Sequence, residues 1–155
     1  MPLSQLSKID RHILKLLQRH GRMRYTELAS EVGLTTTPCK ERVKRLESAG
    51  YIRGYHADLD PAMLGAGLMV FVQVTLQRTA GDAFRRFIEA VDAIPEIEEC
   101  HLVSGDFDFL IKARVADMSH FRDLLAGSLL QLPNVLESKS YPVMESVLHT
   151  HAVTL

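Results

Sequence analysis

Cysteine is scarce in this chain: Cys39 and Cys100 are the two among 155 residues. Two thiols at apolar-patterned positions build no disulfide framework, which points to a reducing cytoplasm. No uninterrupted apolar run approaches the roughly 20 residues needed to cross a bilayer, and the start does not resemble a signal peptide. A soluble cytoplasmic protein with no membrane partner is therefore expected. The sequence also lacks a glycine loop for cradling phosphate and any nucleophile–base arrangement, so catalysis is not expected. Its seven histidines do not add up to a metal site. Cys100 and His101, adjacent on a strand, point to opposite faces. His149-x-His151 offers two ligands where a stable site needs three or four.

What the chain does have is apolar residues and a divided charge. Hydrophobic residues make up 46% and charged residues 24%, enough for a real core. The formal net charge of −1 hides an asymmetry. Residues 1–56 hold 11 Lys+Arg against 5 Asp+Glu, a balance of +6, while residues 57–155 hold 7 against 14, a balance of −7. A basic first third and an acidic remainder imply two units, the first with a polyanionic partner.

The first unit reads as three helices. Ser7 followed by Asp10 resembles a capping box opening a helix through about Arg19, with Ile9, Ile13, Leu16 and Leu17 as its apolar stripe. A short helix from Tyr25 to Val32 places Leu28, Ala29 and Val32 inward, and its N-cap falls on Arg24, a poor cap. Gly33 supplies the turn, where positive φ suits glycine. The next stretch, G-L-T-T-T-P-C-K-E-R-V-K-R-L-E-S from Gly33 to Ser48, has Thr37 as candidate cap and Pro38 in the first turn. Winding it at 3.6 residues per turn places Cys39, Val43 and Leu46 on one face. Thr37, Glu41, Lys44, Arg45 and Ser48 lie opposite, with Lys40 and Arg42 on the flanks. A groove-reading helix and a solvated amphipathic helix both fit that pattern taken alone, and the context decides. Two preceding helices and a Gly-containing turn make a helix-turn-helix whose third helix suits a DNA major groove. Lys40, Glu41, Lys44 and Arg45 would then bear on bases or nearby phosphates, with Thr36, Thr37 and Arg42 positioning the helix. Tyr51–Ala57 reads as a short wing or linking strand, in which Arg53 and His56 face phosphate or simply solvent.

Asp58 to Gly67, with Asp60-Pro61 and two glycines, has the composition of a linker. Domains are expected at 1–57 and 68–155. Beyond the linker, Leu68–Leu76 is a nearly continuous apolar, β-branched run. Asp82–Ala93 is a helix with Phe84, Phe87, Ile88 and Val91 on one face. Ile97–Ser104 and Asp108–Val115 are strands joined at Gly105-Asp106. Met118–Leu132 is a helix with Phe121, Leu125, Leu129 and Leu132 inward, and Val135–Met144 is a strand. The order βαββαβ is a ferredoxin-like arrangement. Two helices on one side leave the other sheet face bare, carrying Val70, Val72, Val74, Leu102 and Leu110 or their alternates. Such a face suggests back-to-back dimerisation.

Four segments together carry a family resemblance: I-D-R-H-I-L near Ile9, T-P-C-x-E-R-V-x-R-L-E at Thr37–Glu47, V-F-V-x-V-T-L at Val70–Leu76, and E-C-H-L-V-S-G-D-F-D-F-L at Glu99–Leu110. With L-P-N-V and S-Y-P-V-M-E following, the chain resembles the Lrp/AsnC (feast/famine) transcription regulators, nearest their leucine-responsive branch. The resemblance implies an α+β chain, a winged helix-turn-helix followed by a RAM-type effector domain. It implies double-stranded DNA as partner, homodimers assembling into octamers or tetramers, and association with the nucleoid. It implies no resident cofactor but an amino-acid effector, leucine or another aliphatic one, bound between dimers near the turn after the second strand. Carried onto this chain, that region is Val103, Ser104, Gly105, Asp106 and Asp108, with Met118 and Tyr141 as neighbours. Backbone N–H groups near Gly105 would donate to the carboxylate, and Asp108 would neutralise the α-ammonium. Pro142 departs from the aliphatic residue usual in that branch, and the tail L-H-T-H-A-V-T-L has no match. Two other readings share the scaffold: a tetrapyrrole (sirohaem) decarboxylase, and a nucleoid-architectural protein that wraps DNA.

Overall fold

The computed structural model describes residues 6–77 and 82–155. The chain divides into two compact units, one running to Asp58 and including Leu148–Leu155, the other spanning Leu59–Val147. The first contains α1 (Lys8–Leu17), α2 (Tyr25–Glu31) and α3 (Thr36–Ser48). The second contains β1 (Leu68–Leu76), α4 (Ala83–Asp92), β2 (Ile97–Leu102), β3 (Phe109–Val115), α5 (Met118–Gly127) and β4 (Val135–Pro142). The last eight residues were expected with the second unit and fold with the first.

In the helical unit, α1 opens where Ser7 accepts from the Asp10 N–H at 3.1 Å. It ends at Leu17, two residues short of the expected Arg19. At α2 the Arg24 side chain has no acceptor to offer, and the end is held instead by Glu27 accepting from the Arg24 N–H at 3.3 Å. Both α2 and α3 close with the same left-handed glycine device. Gly33 (φ +68°) and Gly50 (φ +78°) take the residue after each cap. Leu34 N–H then donates to Ala29 O at 2.8 Å, and Tyr51 N–H to Leu46 O at 2.9 Å. The N-cap of α3 is Thr35 and not Thr37, because the helix starts two residues earlier than its threonine run suggested. Leu6, Ile13, Leu14, Leu28, Ala29, Val32, Cys39, Val43 and Leu46 form the core of this unit. Tyr51–Ala57 forms no strand, since no neighbouring strand exists among the described residues of this unit to pair with it.

In the second unit the strand order is β2-β3-β1-β4, antiparallel throughout. β1 occupies the expected residues, and its alternate side chains Val70, Val72, Val74 and Leu76 are buried. They pack with Phe109, Ile111, Ala113 and Val115 of β3 against Phe87 and Val91 of α4 and Phe121 and Leu124 of α5. The valines thus belong to the helix side of the sheet. Leu102, opposite Phe109 in the ladder, is on that side as well, at the exposed edge. The other face carries the alternates: Phe71, Gln73, Leu110, Lys112, Lys139 and Tyr141, a mixture of apolar and charged groups. Lys112 there meets Glu99 at 2.8 Å and Glu98 at 3.1 Å. Pro142 ends β4, an edge strand, where a missing N–H costs no ladder bond.

Both sheet-side helices depart from their expected stripes. α4 buries Ala83, Phe87 and Val91, an i, i+4, i+8 row, and leaves Ile88 half exposed. Phe84 is displaced to the flank but still tilts against Phe109, ring centroids 5.6 Å apart. α5 stops at Gly127, and a 3-10 turn, Leu129–Gln131, follows. The tighter turn resets the phase, so Phe121, Leu124, Leu129 and Leu132 are buried while Leu125 only borders the core.

The corrected phase of α4 has a measurable consequence. Phe87→Ala should cost about 3–5 kcal/mol of stability, the usual penalty for emptying a core aromatic site. Phe84→Ala should cost less than half as much. Urea unfolding of the two variants separates them, and equal losses would restore the four-residue stripe.

Candidate DNA-binding and effector sites

Helix α3 turns Cys39, Val43 and Leu46 into the core and leaves Thr36, Thr37, Lys40, Glu41, Lys44 and Arg45 exposed, with Arg42 half-buried. The arginines are not simply solvated. Asp10 of α1, 3% exposed, receives Arg42 Nη1 on Oδ1 at 2.9 Å and Arg45 Nη2 on Oδ2 at 3.0 Å. The Ser7 hydroxyl donates to the same carboxylate at 2.7 Å. Burial pushes the Asp10 carboxyl up, but the Ser7 hydroxyl and the two guanidiniums outweigh it, and its pKa lies below the ordinary aspartate value. One carboxylate thus fixes the roll of α3 against α1 and aims two arginines along the exposed face.

The segment after α3 is held to the same helix. Tyr55 Oη donates to Glu47 Oε1 at 2.9 Å. Burial, then the adjacent Glu47 carboxylate, raise the Tyr55 phenol well above its ordinary value, so it stays protonated and donating. Arg53 and His56 beside it are exposed. Sequence reading found the exposed residues of α3 and missed Asp10. The S-x-x-D pattern was legible as a cap, but the two arginines it meets lie 32 and 35 residues away.

In the second unit the 104–108 segment is a run of bends between β2 and β3. Val103 is half-buried, whereas Ser104, Gly105 and Asp106 are exposed. Asp106 and Phe107 border a shallow depression whose remaining wall is Gln73 and Thr75 of β1 and Glu137, Ser138 and Lys139 of β4. Those five strand residues were not anticipated. The signal that finds them is register: β1 and β4 run past the end of β3, so Gln73, Thr75, Glu137 and Lys139 on their outward face, with Ser138 between the last two, flank the turn.

Asp108 is placed differently from its neighbours. It is 4% exposed, and its Oδ2 accepts the Leu76 N–H at 2.8 Å. Its own N–H donates to Val74 O at 3.0 Å. Backbone groups two residues apart on a strand point the same way, so this carboxylate adds one more rung to the β1–β3 ladder where β3 ends. Tyr141, half exposed, donates to Gln73 Oε1 at 3.2 Å on the outer face. Met118 opens α5 after the far end of β3, so within one chain it stands away from the 104–108 turn. Among the described residues no group of three or more His, Cys, Asp or Glu side chains is gathered as metal ligands. No described helix is long and apolar enough to cross a membrane.

A helix-turn-helix with an anchored, cationic third helix, joined to a ferredoxin-like domain with a solvent-facing turn, defines a DNA-binding regulator carrying a small-molecule domain. Comparison with known proteins agrees. Residues 6–53 match the winged helix-turn-helix DNA-binding family, and residues 69–153 match the Lrp/AsnC ligand binding domain. The chain is 51% identical over 154 residues to leucine-responsive regulatory proteins of Klebsiella pneumoniae and Escherichia coli, covering 99% of this chain and 94% of theirs. Among solved structures, a Neisseria meningitidis transcriptional regulator in complex with L-methionine superposes with a TM-score of 0.93 at 35% identity, over 97% of each chain. An AsnC family regulator from Agrobacterium tumefaciens gives 0.91 at 30% identity, over 96% of this chain and 97% of that one. The chain belongs to the Lrp/AsnC family of transcription regulators. It is a DNA-binding transcription regulator with a ligand binding domain; its relatives are transcription regulators, and nothing in these matches supports the decarboxylase reading.

The Asp10 anchor predicts a pH-dependent contribution to stability. Its folded pKa is depressed, so the contribution is present above the ordinary aspartate range and is lost as pH falls through the folded value. Asp10→Asn should destabilise the helical unit by about 1–2 kcal/mol at neutral pH, a figure discounted because both arginines are partly exposed. The gap to the unaltered protein should close progressively below about pH 4. Thermal melts at pH 7 and pH 3 check this, and a gap that is independent of pH would assign the loss to packing.

Proposed function

We propose that α3 enters the major groove of an operator, with Lys40, Glu41, Lys44 and Arg45 on bases or nearby phosphates. Thr36, Thr37 and Arg42 set its depth and register. The observation that carries this reading is the Asp10 carboxylate, which holds α3 with its cationic face outward. The protein acts in the cytoplasm on nucleoid DNA, as a homodimer whose two helices address two half-sites, with dimers building tetramers or octamers. The dimer forms through the outer sheet face, where Phe71, Leu110 and Tyr141 supply an apolar centre smaller than the sequence suggested.

The effector is a small apolar amino acid, leucine first. The leucine-responsive relatives and the L-methionine complex of a similar regulator support that class. In our reading it sits at the turn Val103–Asp106, its carboxylate on backbone N–H groups around Gly105. Asp108 is already engaged by the Leu76 N–H, so the solvent-facing Asp106 takes the ammonium and Asp108 shapes the turn from inside. Tyr141 and, from a second copy, Met118 complete the pocket around the side chain.

Two experiments test these assignments. Arg45 also serves Asp10, so the clean DNA variant is Lys40→Ala with Lys44→Ala. It should weaken operator binding and reduce the log–log salt slope by roughly one for each phosphate left without its lysine. An unchanged slope would remove α3 from the interface. For the effector, titration calorimetry with leucine, methionine and alanine should show binding that Asp106→Asn weakens about ten-fold or more. Binding of no amino acid by the unaltered protein would sink the assigned site, and full affinity in Asp106→Asn would move the ammonium partner elsewhere.

A further inference from the structure

The tail His149–Leu155 carries no motif legible in the sequence, although the family match reaches residue 153, and the function proposed above makes no use of it. In the structure it is an ordered part of the helical unit. The Gln18 side chain, at the C-cap of α1, donates through Nε2 to Val153 O at 3.2 Å and accepts the Val153 N–H on Oε1 at 3.1 Å. A side-chain amide that pairs both polar groups of one residue imitates a rung of a β-ladder and reads backbone, not side chain. Upstream, Ala152 N–H donates to Thr150 Oγ1 at 3.1 Å, and the His149 and His151 rings meet edge to face at 4.6 Å.

The side chains follow a period of two. His151, Val153 and Leu155 all face a groove of about 660 Å³ whose other wall includes Leu14, Leu17 and Ile52. Leu155 packs on the core of the unit. Alternate residues turned one way are the mark of an extended segment laid against a surface. The tail is therefore one wall of this groove, laid along the helical unit opposite Leu14, Leu17 and Ile52.

We infer that residues 149–155 are a strap docked on α1, which completes the DNA-binding unit and links it a second time to the effector domain. The chain passes between the units near Asp58 and again near Leu148. The second passage begins in β4, whose Glu137–Lys139 line the depression beside Asp106. It ends on α1, the same helix whose Asp10 holds Arg42 and Arg45 of α3. An amino acid bound beside β4 thus has a continuous covalent path to the element that anchors the recognition helix. The linkage to operator affinity rests on the function proposed above; the docking of the tail does not.

The test uses the full chain, Gln18→Ala and a chain lacking residues 153–155, each checked for assembly state by sedimentation. Hydrogen exchange is read on α1 and α3, and operator binding is measured with and without leucine. The strap predicts roughly ten-fold faster exchange across α1 in both variants, with the effector domain unchanged. It also predicts operator affinity reduced several-fold and a smaller response to leucine. Unchanged exchange in α1 in both variants would overturn the strap. Faster exchange with operator affinity and leucine response intact would overturn the coupling and leave a structural clasp. If the unaltered protein fails to bind DNA, the proposed function fails, while the exchange result still decides the docking.

Discussion

A single buried carboxylate determines how the DNA-binding unit presents itself. Packing of Cys39, Val43 and Leu46 holds α3 against the core, but apolar contact is non-directional and leaves the roll of a short helix loosely defined. Two charge-assisted hydrogen bonds, donated by Arg42 and Arg45 to the Asp10 carboxylate, fix that roll. The same residue belongs to the first turn of α1, where its N–H is capped by Ser7. Helix start, helix–helix register and the aim of the cationic face therefore converge on one side chain. A desolvated aspartate is tolerable there because three donors surround it.

The effector domain solves a related problem with Asp108. β3 ends while β1 continues, which leaves the Leu76 N–H facing the end of its partner strand. The Asp108 carboxylate takes that N–H, and the next-but-one residue, Asp106, is left in solvent. In D-F-D, two residues of one type thus hold opposite environments. Strand alternation would put positions two apart on one face, so the difference arises because Asp106 lies in the bend before β3, where the chain has not yet joined the sheet. In both units a buried acid organises its surroundings, two guanidiniums and a helix start around Asp10 and a strand N–H at Asp108.

How much of this the sequence disclosed depends on range. Local signals were legible: the apolar, β-branched run of β1, the period-two alternation of β3, the glycines at 33 and 50, the Ser7 cap and the buried row of α3. The stripe of α4 was misjudged because large residues outweigh small ones in a periodicity argument. Ala83 is buried and Ile88 is not, and Phe84 contributes from the flank. The end of α5 was misplaced because a 3-10 turn changes the phase without a strong breaker until Pro133. The face of the sheet that turns to solvent was left open, since two-sided apolar strands carry no parity signal of their own. Asp10 with Arg42 and Arg45, Asp108 with Leu76, and Gln18 with Val153 were all invisible for one reason. Each is a contact between positions at least 32 apart, and such contacts exist only after the chain has folded.

The division of charge acquires a sharper meaning in this light. A chain balanced at +6 and −7 across two units gains little long-range attraction to DNA from its net charge of −1. Its affinity must come from cations held at the right place, and an ordering of α3 therefore matters more than the number of lysines. On the proposed groove reading, binding responds to whatever perturbs α1, because α1 supplies the anchoring carboxylate. A protein that bound through diffuse positive charge would gain only weak control from a ligand in another domain. One that binds through an anchored helix concentrates the free energy of recognition in a few contacts, and a perturbation of about 1.4 kcal/mol there changes occupancy of an operator ten-fold.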